Sequence, residues 1–241
     1  MKTRITLFIL CMFLTLSGFS QTKTYFTSGG EMIFSFANIE DHGVQENSIV
    51  RWSPVFNFQS MYNVDFGQHV GLFTGFAIRN VGYIYGNYKV ADPSVPSGYV
   101  TVKKKFRSYN FAVPVGLKLG NLGKTFIYGG YEVEIPFHYK EKTFEDGDKT
   151  KKITGWFSDR QESLQHGFLV GIQFPYGTNL KFKYYMSNFH NENFKESNGN
   201  KPYEGLKSNI FYFSICTNLF KDLHYSNPSK SQNANYQAMT F

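Results

Sequence analysis

Lys124-Thr-Phe-Ile-Tyr-Gly-Gly-Tyr-Glu-Val-Glu-Ile-Pro-Phe-His-Tyr-Lys140 decides the fold. Ile127, Tyr131, Val133, Ile135, Phe137 and Tyr139 fall on one parity, and Glu132, Glu134, His138 and Lys140 on the other. Period two is the signature of an extended strand with one apolar and one polar face. The same alternation recurs at 207–219, where Phe211, Phe213, Ile215 and Leu219 oppose Ser208, Tyr212, Ser214, Cys216 and Asn218. At 179–189, Leu180, Phe182, Tyr184 and Met186 oppose Lys181, Lys183, Tyr185 and Ser187.

Working outward, the pattern predicts eight strands at 30–39, 50–63, 69–84, 106–119, 124–140, 164–174, 179–189 and 207–219. Each is near or above the ~9 to 11 residues that a tilted strand needs to cross a bilayer. The gaps at 64–68, 120–123 and 175–178 are tight and carry Gly, Asn, Asp and Pro, as turns require. The other gaps are long and polar. Short turns at one end and long loops at the other predict an all-β, antiparallel, up-and-down transmembrane barrel with periplasmic turns and extracellular loops. Period two by itself also fits a soluble sandwich or a lipocalin-like barrel. Strand length, Trp52, Tyr62, Tyr109 and Tyr139 near the ends of the apolar faces, and an export signal favour the membrane.

That signal is the amino terminus. Lys2 and Arg4 precede an apolar run, 5–16, too short for a membrane-spanning helix and followed by Ser17-Gly18-Phe19-Ser20. The expected organisation is a signal peptide over 1–20, a barrel over 21–220 and a flexible tail over 221–241, with export to the outer membrane of a Gram-negative-type bacterium. Once Cys11 leaves with the signal, Cys216 is the single remaining cysteine and no internal disulfide forms. The tail is rich in Asn, Ser and Gln; its final Phe241 is a weaker assembly signal than Leu219-Phe220.

Composition agrees. The 241 residues include 26 Phe, 17 Tyr and 22 Gly, aromatics make up 19%, and yet mean hydropathy is −0.34. Aromatics dispersed through a polar background result from alternation, not from helical stripes. Net charge is +7, falling to +5 without Lys2 and Arg4. On an exported chain such basicity suits anionic lipopolysaccharide, and no nucleic-acid partner is expected.

Tyr109-Asn-Phe-Ala-Val-Pro114-Val-Gly-Leu-Lys118-Leu-Gly120 followed by Phe126-Ile-Tyr-Gly129-Gly130-Tyr-Glu132 resembles the PorT-like and OmpX/OmpA-like small outer-membrane β-barrels. In these a Tyr-x-x-x-x-Pro strand leads through a Lys-Leu-Gly turn to a Gly-Gly strand. The resemblance implies fold and location and no shared activity, since small barrels serve as adhesins, anchors, enzymes and secretion accessories.

The inward faces collect Glu31, Glu132 and Glu134 against Arg51, Arg79, Lys118, Lys181 and Lys183. An eight-stranded barrel is just wide enough for side chains to fill, so these groups are expected to pair into a polar plug. Glu132 and Glu134 as an acid–base pair or a proton path is the sharper alternative. Tyr184-Tyr185-Met186-Ser187-Asn188 carries the Ser-Asn of a lipid A deacylase site, but Tyr185 stands where the His belongs, and His190 has a different offset. The further match, His224-Tyr225-Ser226-Asn227, lies in the tail with no Glu after it. His42, His69, His138 and His166 show no ligand spacing, so no metal or other cofactor is expected.

The third long loop, 141–163, carries Lys151, Lys152, Trp156, Phe157 and Arg160, a basic and aromatic set suited to a lipopolysaccharide, glycan or protein partner. The expected function is a non-enzymatic outer-membrane barrel that binds at its surface or serves the membrane structurally. Its partners would be outer-membrane lipid, lipopolysaccharide, the barrel-assembly machinery and an extracellular protein or glycan. A lipid A-modifying enzyme, a narrow pore and a secretion accessory remain alternatives.

Overall fold

The computed structural model describes residues 22–221, so the expected signal peptide, the tail and the second Ser-Asn match lie outside the described residues. The strands are β1 (Thr22–Asp41), β2 (Val44–Ile49), β3 (Arg51–Ser53), β4 (Phe58–Phe66), β5 (Val70–Ala91), β6 (Tyr99–Gly120), β7 (Phe126–Glu145), β8 (Asp148–Trp156), β9 (Gln165–Gln173), β10 (Thr178–Tyr185) and β11 (Leu206–Lys221). Every pairing is antiparallel, and β11 returns to β1 from Thr27↔Lys221 to Asp41↔Leu206, so the sheet closes on itself. Counting β2, β3 and β4 as one broken stave, and β8 and β9 as another, gives the eight expected staves in up-and-down order. In the tight-turn half of the ring each described stave is paired on both sides, the condition for strands to cross hydrocarbon, whereas β3 pairs only with β1 and β8 only with β7. No described helix is long and apolar enough to cross a membrane.

The outer surface is an apolar belt. Along β6, Phe111, Val113, Val115, Leu117 and Leu119 point outward and are 39 to 58% exposed. From Tyr109 to Leu119 a tilted strand rises about 24 Å, the height of the apolar band of a transmembrane barrel. Ile127 and Ile135 on β7, Phe168 and Val170 on β9, and Phe213 and Ile215 on β11 continue it. Inside, β6, β7, β10 and β11 present Asn110, Lys118, Glu132, Lys181 and Ser214, all buried. Apolar outside and polar inside defines a transmembrane β-barrel.

The strands outrun the belt. β5 and β6 are 22 residues each, about twice what crossing requires, and their upper parts rise as a hairpin. The expected loop 141–163 is largely a second hairpin, in which β7 turns into β8 at Asp146-Gly147 with φ of +48° and +95°. Positive φ at both central residues is the hairpin turn that Asp-Gly favours. The expected strand 50–63 breaks at 54–57, because Pro54 lacks the N–H that a ladder position needs. Asn57 ties that break down: its Nδ2 donates to Ser53 O at 2.9 Å and its Oδ1 accepts from the Asn80 amide at 2.6 Å.

One expectation about faces is overturned. Asn110 pairs with Pro136 and Tyr109 with His138, so Phe137 is an extra residue on β7. Pro136 cannot donate to the ladder, and a bulge at that point shifts parity for everything above it. Tyr139, expected on the outer face, is fully buried inside; His138 and Lys140, expected inside, lie on the outer wall. Trp52, Tyr62 and Tyr109 keep their outward positions.

Candidate functional site

Six of the eight expected interior charges converge. Arg79 donates to Glu31 and, from Nη2, to Glu132 Oε2 at 2.9 Å, while Gln59 Oε1 accepts at 3.3 Å. Lys183 bridges Glu132 Oε1 at 2.5 Å and Glu134. Lys181 pairs with Glu31 Oε1 at 2.8 Å. Tyr185 donates to Glu134 Oε1 at 2.7 Å and Asn110 to Glu134 Oε2 at 2.6 Å. Isolated charges are expensive to bury, and mutual pairing of three carboxylates with three cations is what makes this layer tolerable. Both oxygens of Glu132 and of Glu134 accept hydrogen bonds within this cluster.

The other two go elsewhere. Lys118 sits nearer the tight-turn end, paired with Asp65 and donating to Asn63 Oδ1 at 3.0 Å and Tyr25 Oη at 3.1 Å. Arg51 is not in the interior cluster: its guanidinium donates to Asn80 O at 3.1 Å and Asn80 Oδ1 at 2.6 Å. Asn80 has the parity opposite to Arg79, and Arg51, beside the break in the second stave and paired with Ser35, reaches it. Asp65 was not among the expected interior groups because it falls in a stretch that composition marks as a turn.

Above the charge layer the barrel is plugged by aromatic side chains and by segment 186–205, which folds back into the mouth. Phe189, His190 and Tyr203 are buried against Tyr83, Phe106 and Tyr139. The His190 ring lies parallel to Tyr203, centroids 4.3 Å apart, and its Nε2 pairs with the Tyr83 hydroxyl at 2.9 Å. Glu141 anchors the layer, accepting from Lys104 at 2.7 Å, Tyr203 at 2.7 Å and Tyr139 at 3.0 Å. Burial tends to raise the Glu141 carboxyl, but the Lys104 charge and these hydrogen bonds outweigh it and hold the group below its ordinary range. Desolvation drives the His190 imidazole down to about 3, so it stays neutral.

The expected loop set, Lys151, Lys152, Trp156, Phe157 and Arg160, does not form one surface. Arg160 is spent holding the lid, with Nη2 on Glu196 Oε1 at 2.6 Å, Nη1 on Tyr203 Oη at 3.1 Å and its Cζ 4.6 Å above the Phe194 ring. Trp156 packs along Phe137 at 6.0 Å on the outer wall, Lys152 lies opposite Lys142, and Lys151 pairs with Thr143 on the opposite parity. Phe157 is 68% exposed in a left-handed conformation. An Asp-Gly pair inside 141–163 is the sequence signal that marks this loop as a hairpin.

The hydrolase geometry is not assembled. The Ser187 hydroxyl accepts from the His166 backbone amide at 3.1 Å, while the His166 ring contacts the Tyr131 hydroxyl at 2.6 Å and His190 faces Tyr83. A Ser-His pair needs base and nucleophile in hydrogen-bond reach. Cys216 is buried inside, as its parity predicts, with the Gln59 amide donating to its Sγ at 3.1 Å.

Among the described residues, cavities lie between plug and tight turns. One of about 60 Å³ lies under Arg79 and Glu132 beside Met61, Phe73 and Tyr128, enough for a handful of waters. A wider vestibule of about 530 Å³, lined by Tyr25, Asn63, Gln173 and Tyr176, lies at the tight-turn end.

The ring of strands, its apolar belt and its filled interior define a plugged transmembrane β-barrel. Among solved structures, Ail, the attachment invasion locus protein of Yersinia pestis, in complex with the heparin analogue sucrose octasulfate, is 14% identical, covering 80% of this chain and 98% of its own, with a TM-score of 0.37. Neisserial surface protein A is 10% identical over 83% of this chain and 100% of its own, with a TM-score of 0.33. The outer membrane protein OprG from Pseudomonas aeruginosa is 11% identical over 80% and 92%, with a TM-score of 0.33. The PorT-like part of the resemblance has no counterpart among these three. No protein-family model and no curated protein matches the chain.

Proposed function

We propose that the protein is a non-enzymatic barrel of the outer membrane of a Gram-negative-type bacterium, closed to conduction, which acts through its extracellular face. The observation that carries this reading is the continuous plug. Four carboxylates, Glu31, Asp65, Glu132 and Glu134, are matched by Arg79, Lys118, Lys181 and Lys183, and the aromatic lid caps them. With the interior filled, the surfaces left to work are the belt, the wall above it and the two hairpins. The amino-terminal signal supports export, and the tight turns then face the periplasm. On this reading the partners are the lipids around the belt, the assembly machinery that closes β11 on β1, and a protein or glycan met by the hairpins.

The test is a gel of boiled and unboiled outer-membrane fraction combined with planar-bilayer recording. A folded barrel migrates differently until boiled, and a plugged one gives no conductance steps. Protein found only in the soluble periplasm, or stable unitary currents, would overturn the reading.

A further inference from the structure

Above the belt, the outer wall of β6, β7 and β8 changes from apolar to cationic within one row. Tyr109, His138 and Trp156 are cross-strand partners and form the aromatic edge of the belt. The next outward row is Arg107, Lys140 and Thr154, and the one above it Lys105, Lys142 and Lys152. Directly opposed side chains on paired strands stand about 5 Å apart, and like charges so placed repel. The bulge at Phe137 creates this arrangement by turning Lys140 and Lys142 outward.

No described acid answers these charges. Glu141, between Lys140 and Lys142 in sequence, points inward to Lys104. The charges around Lys105 are Lys103 and Lys142, and those around Lys140 are Arg107, Lys142, Lys152 and Lys149. Burial and these neighbours pull both amines below the ordinary lysine range. Two nitrogens are already desolvated without a hydrogen-bond partner, Arg107 Nε and His138 Nδ1. The Arg107 guanidinium is held 4.4 Å over the Tyr109 ring.

We infer that this wall binds the phosphate of an outer-leaflet lipid headgroup. The site rests on the outer-membrane reading above, which sets its height: Arg107 stands about 5 Å beyond Tyr109, where interfacial aromatics give way to headgroups. The cations face sideways into the membrane plane, so a lipid reaches them with its acyl chains on the belt below. A phosphate supplies the compact double negative charge that the five cations Arg107, Lys105, Lys140, Lys142 and Lys152 lack, and each Lys or Arg at an anionic surface adds about fivefold in affinity.

The experiment uses the full chain carrying Trp52→Phe, which leaves Trp156 as the only tryptophan, in sugar-based micelles free of phosphate. Bisphosphorylated lipid A, the same lipid A stripped of phosphate, and inorganic phosphate are titrated while Trp156 emission is read. Lipid A is expected to give a saturable shift that weakens about a hundredfold without its phosphates, and by a similar factor in Lys105→Gln/Arg107→Gln/Lys140→Gln. Lys152→Gln alone, on the outer strand of the hairpin, is expected to cost about fivefold and serves if the triple variant does not fold. Lys195→Gln/Lys201→Gln, on the lid, changes nothing. Equal binding of stripped lipid A, undiminished binding by the variants, or inorganic phosphate matching lipid A would overturn the site. Loss of heat-modifiable migration in the parent chain would instead overturn the barrel reading on which it rests.

Discussion

Arg79 on β5 and Glu132 on β7 meet inside the barrel, Nη2 to Oε2 at 2.9 Å, with neither side chain reaching solvent. Arg79 also serves Glu31, so the guanidinium is the hinge of two ion pairs. Removing it by Arg79→Met leaves three carboxylates, Glu31, Glu132 and Glu134, to share Lys181 and Lys183 in a buried interior, a loss of about 3 to 5 kcal/mol. In Arg79→Met/Glu132→Met, Glu31 keeps Lys181 and Glu134 keeps Lys183, and the charge balance is restored. Urea unfolding followed by heat-modifiable migration is expected to show the double variant regaining most of the loss. Simple addition of the two single effects would contradict the network as drawn.

Gly116 and Gly129 make opposite predictions. A Cβ on Gly116 would collide with the Phe73 ring and the Gly129 carbonyl, whereas one on Gly129 meets its nearest atom, Leu169 O, at 3.6 Å. Gly116→Ala is expected to lower stability by about 1 to 3 kcal/mol and Gly129→Ala by less than about 1 kcal/mol in the same unfolding assay.

Arg160 ties the lid to its own segment through Glu196 and Tyr203. Arg160→Ala is expected to speed trypsin cleavage within 186–205 about tenfold, a charge-assisted contact being worth roughly 1.5 to 3 kcal/mol before partial exposure is discounted. Cleavage elsewhere in the barrel should keep its rate.

The lid should loosen in acid. The closed lid depresses His190 from its ordinary 6.5 to about 3, so the opened segment takes up a proton that the closed one refuses. That stability is complete above pH 6.5 and is lost as pH falls toward 3. Glu141, also held below its ordinary value, adds a loss in the same direction below pH 4.5. Hydrogen-exchange protection of 186–205, corrected for intrinsic rate, is expected to fall between pH 6.5 and 4.5. His190→Phe should remove the upper part of that fall; a profile unchanged by the substitution would contradict the assignment.

Much of the barrel was legible because period-two alternation is a local property, set by which side of a strand each residue takes. Glu31, Arg79, Glu132, Glu134, Lys181 and Lys183 were all read as interior by parity alone. Parity fails once a strand gains a residue, as Phe137 shows: the extra residue sent Tyr139 inside and Lys140 outside. At the broken stave the ladder keeps Arg51 opposite the inward Ser35, yet its guanidinium ends on Asn80. Pro136 and Pro54 mark both places in the sequence, since each removes a ladder donor.

By itself, the sequence determined an eight-stave barrel, its tight-turn end and the charge of its interior, because these follow from alternation and turn chemistry within single segments. Which carboxylate meets which cation, the lid that seats His190 and Tyr203 over Glu141, and the cation rows above Tyr109 were decided only by the tertiary structure. Each depends on the register between strands far apart in the chain, and one inserted residue is enough to reverse it.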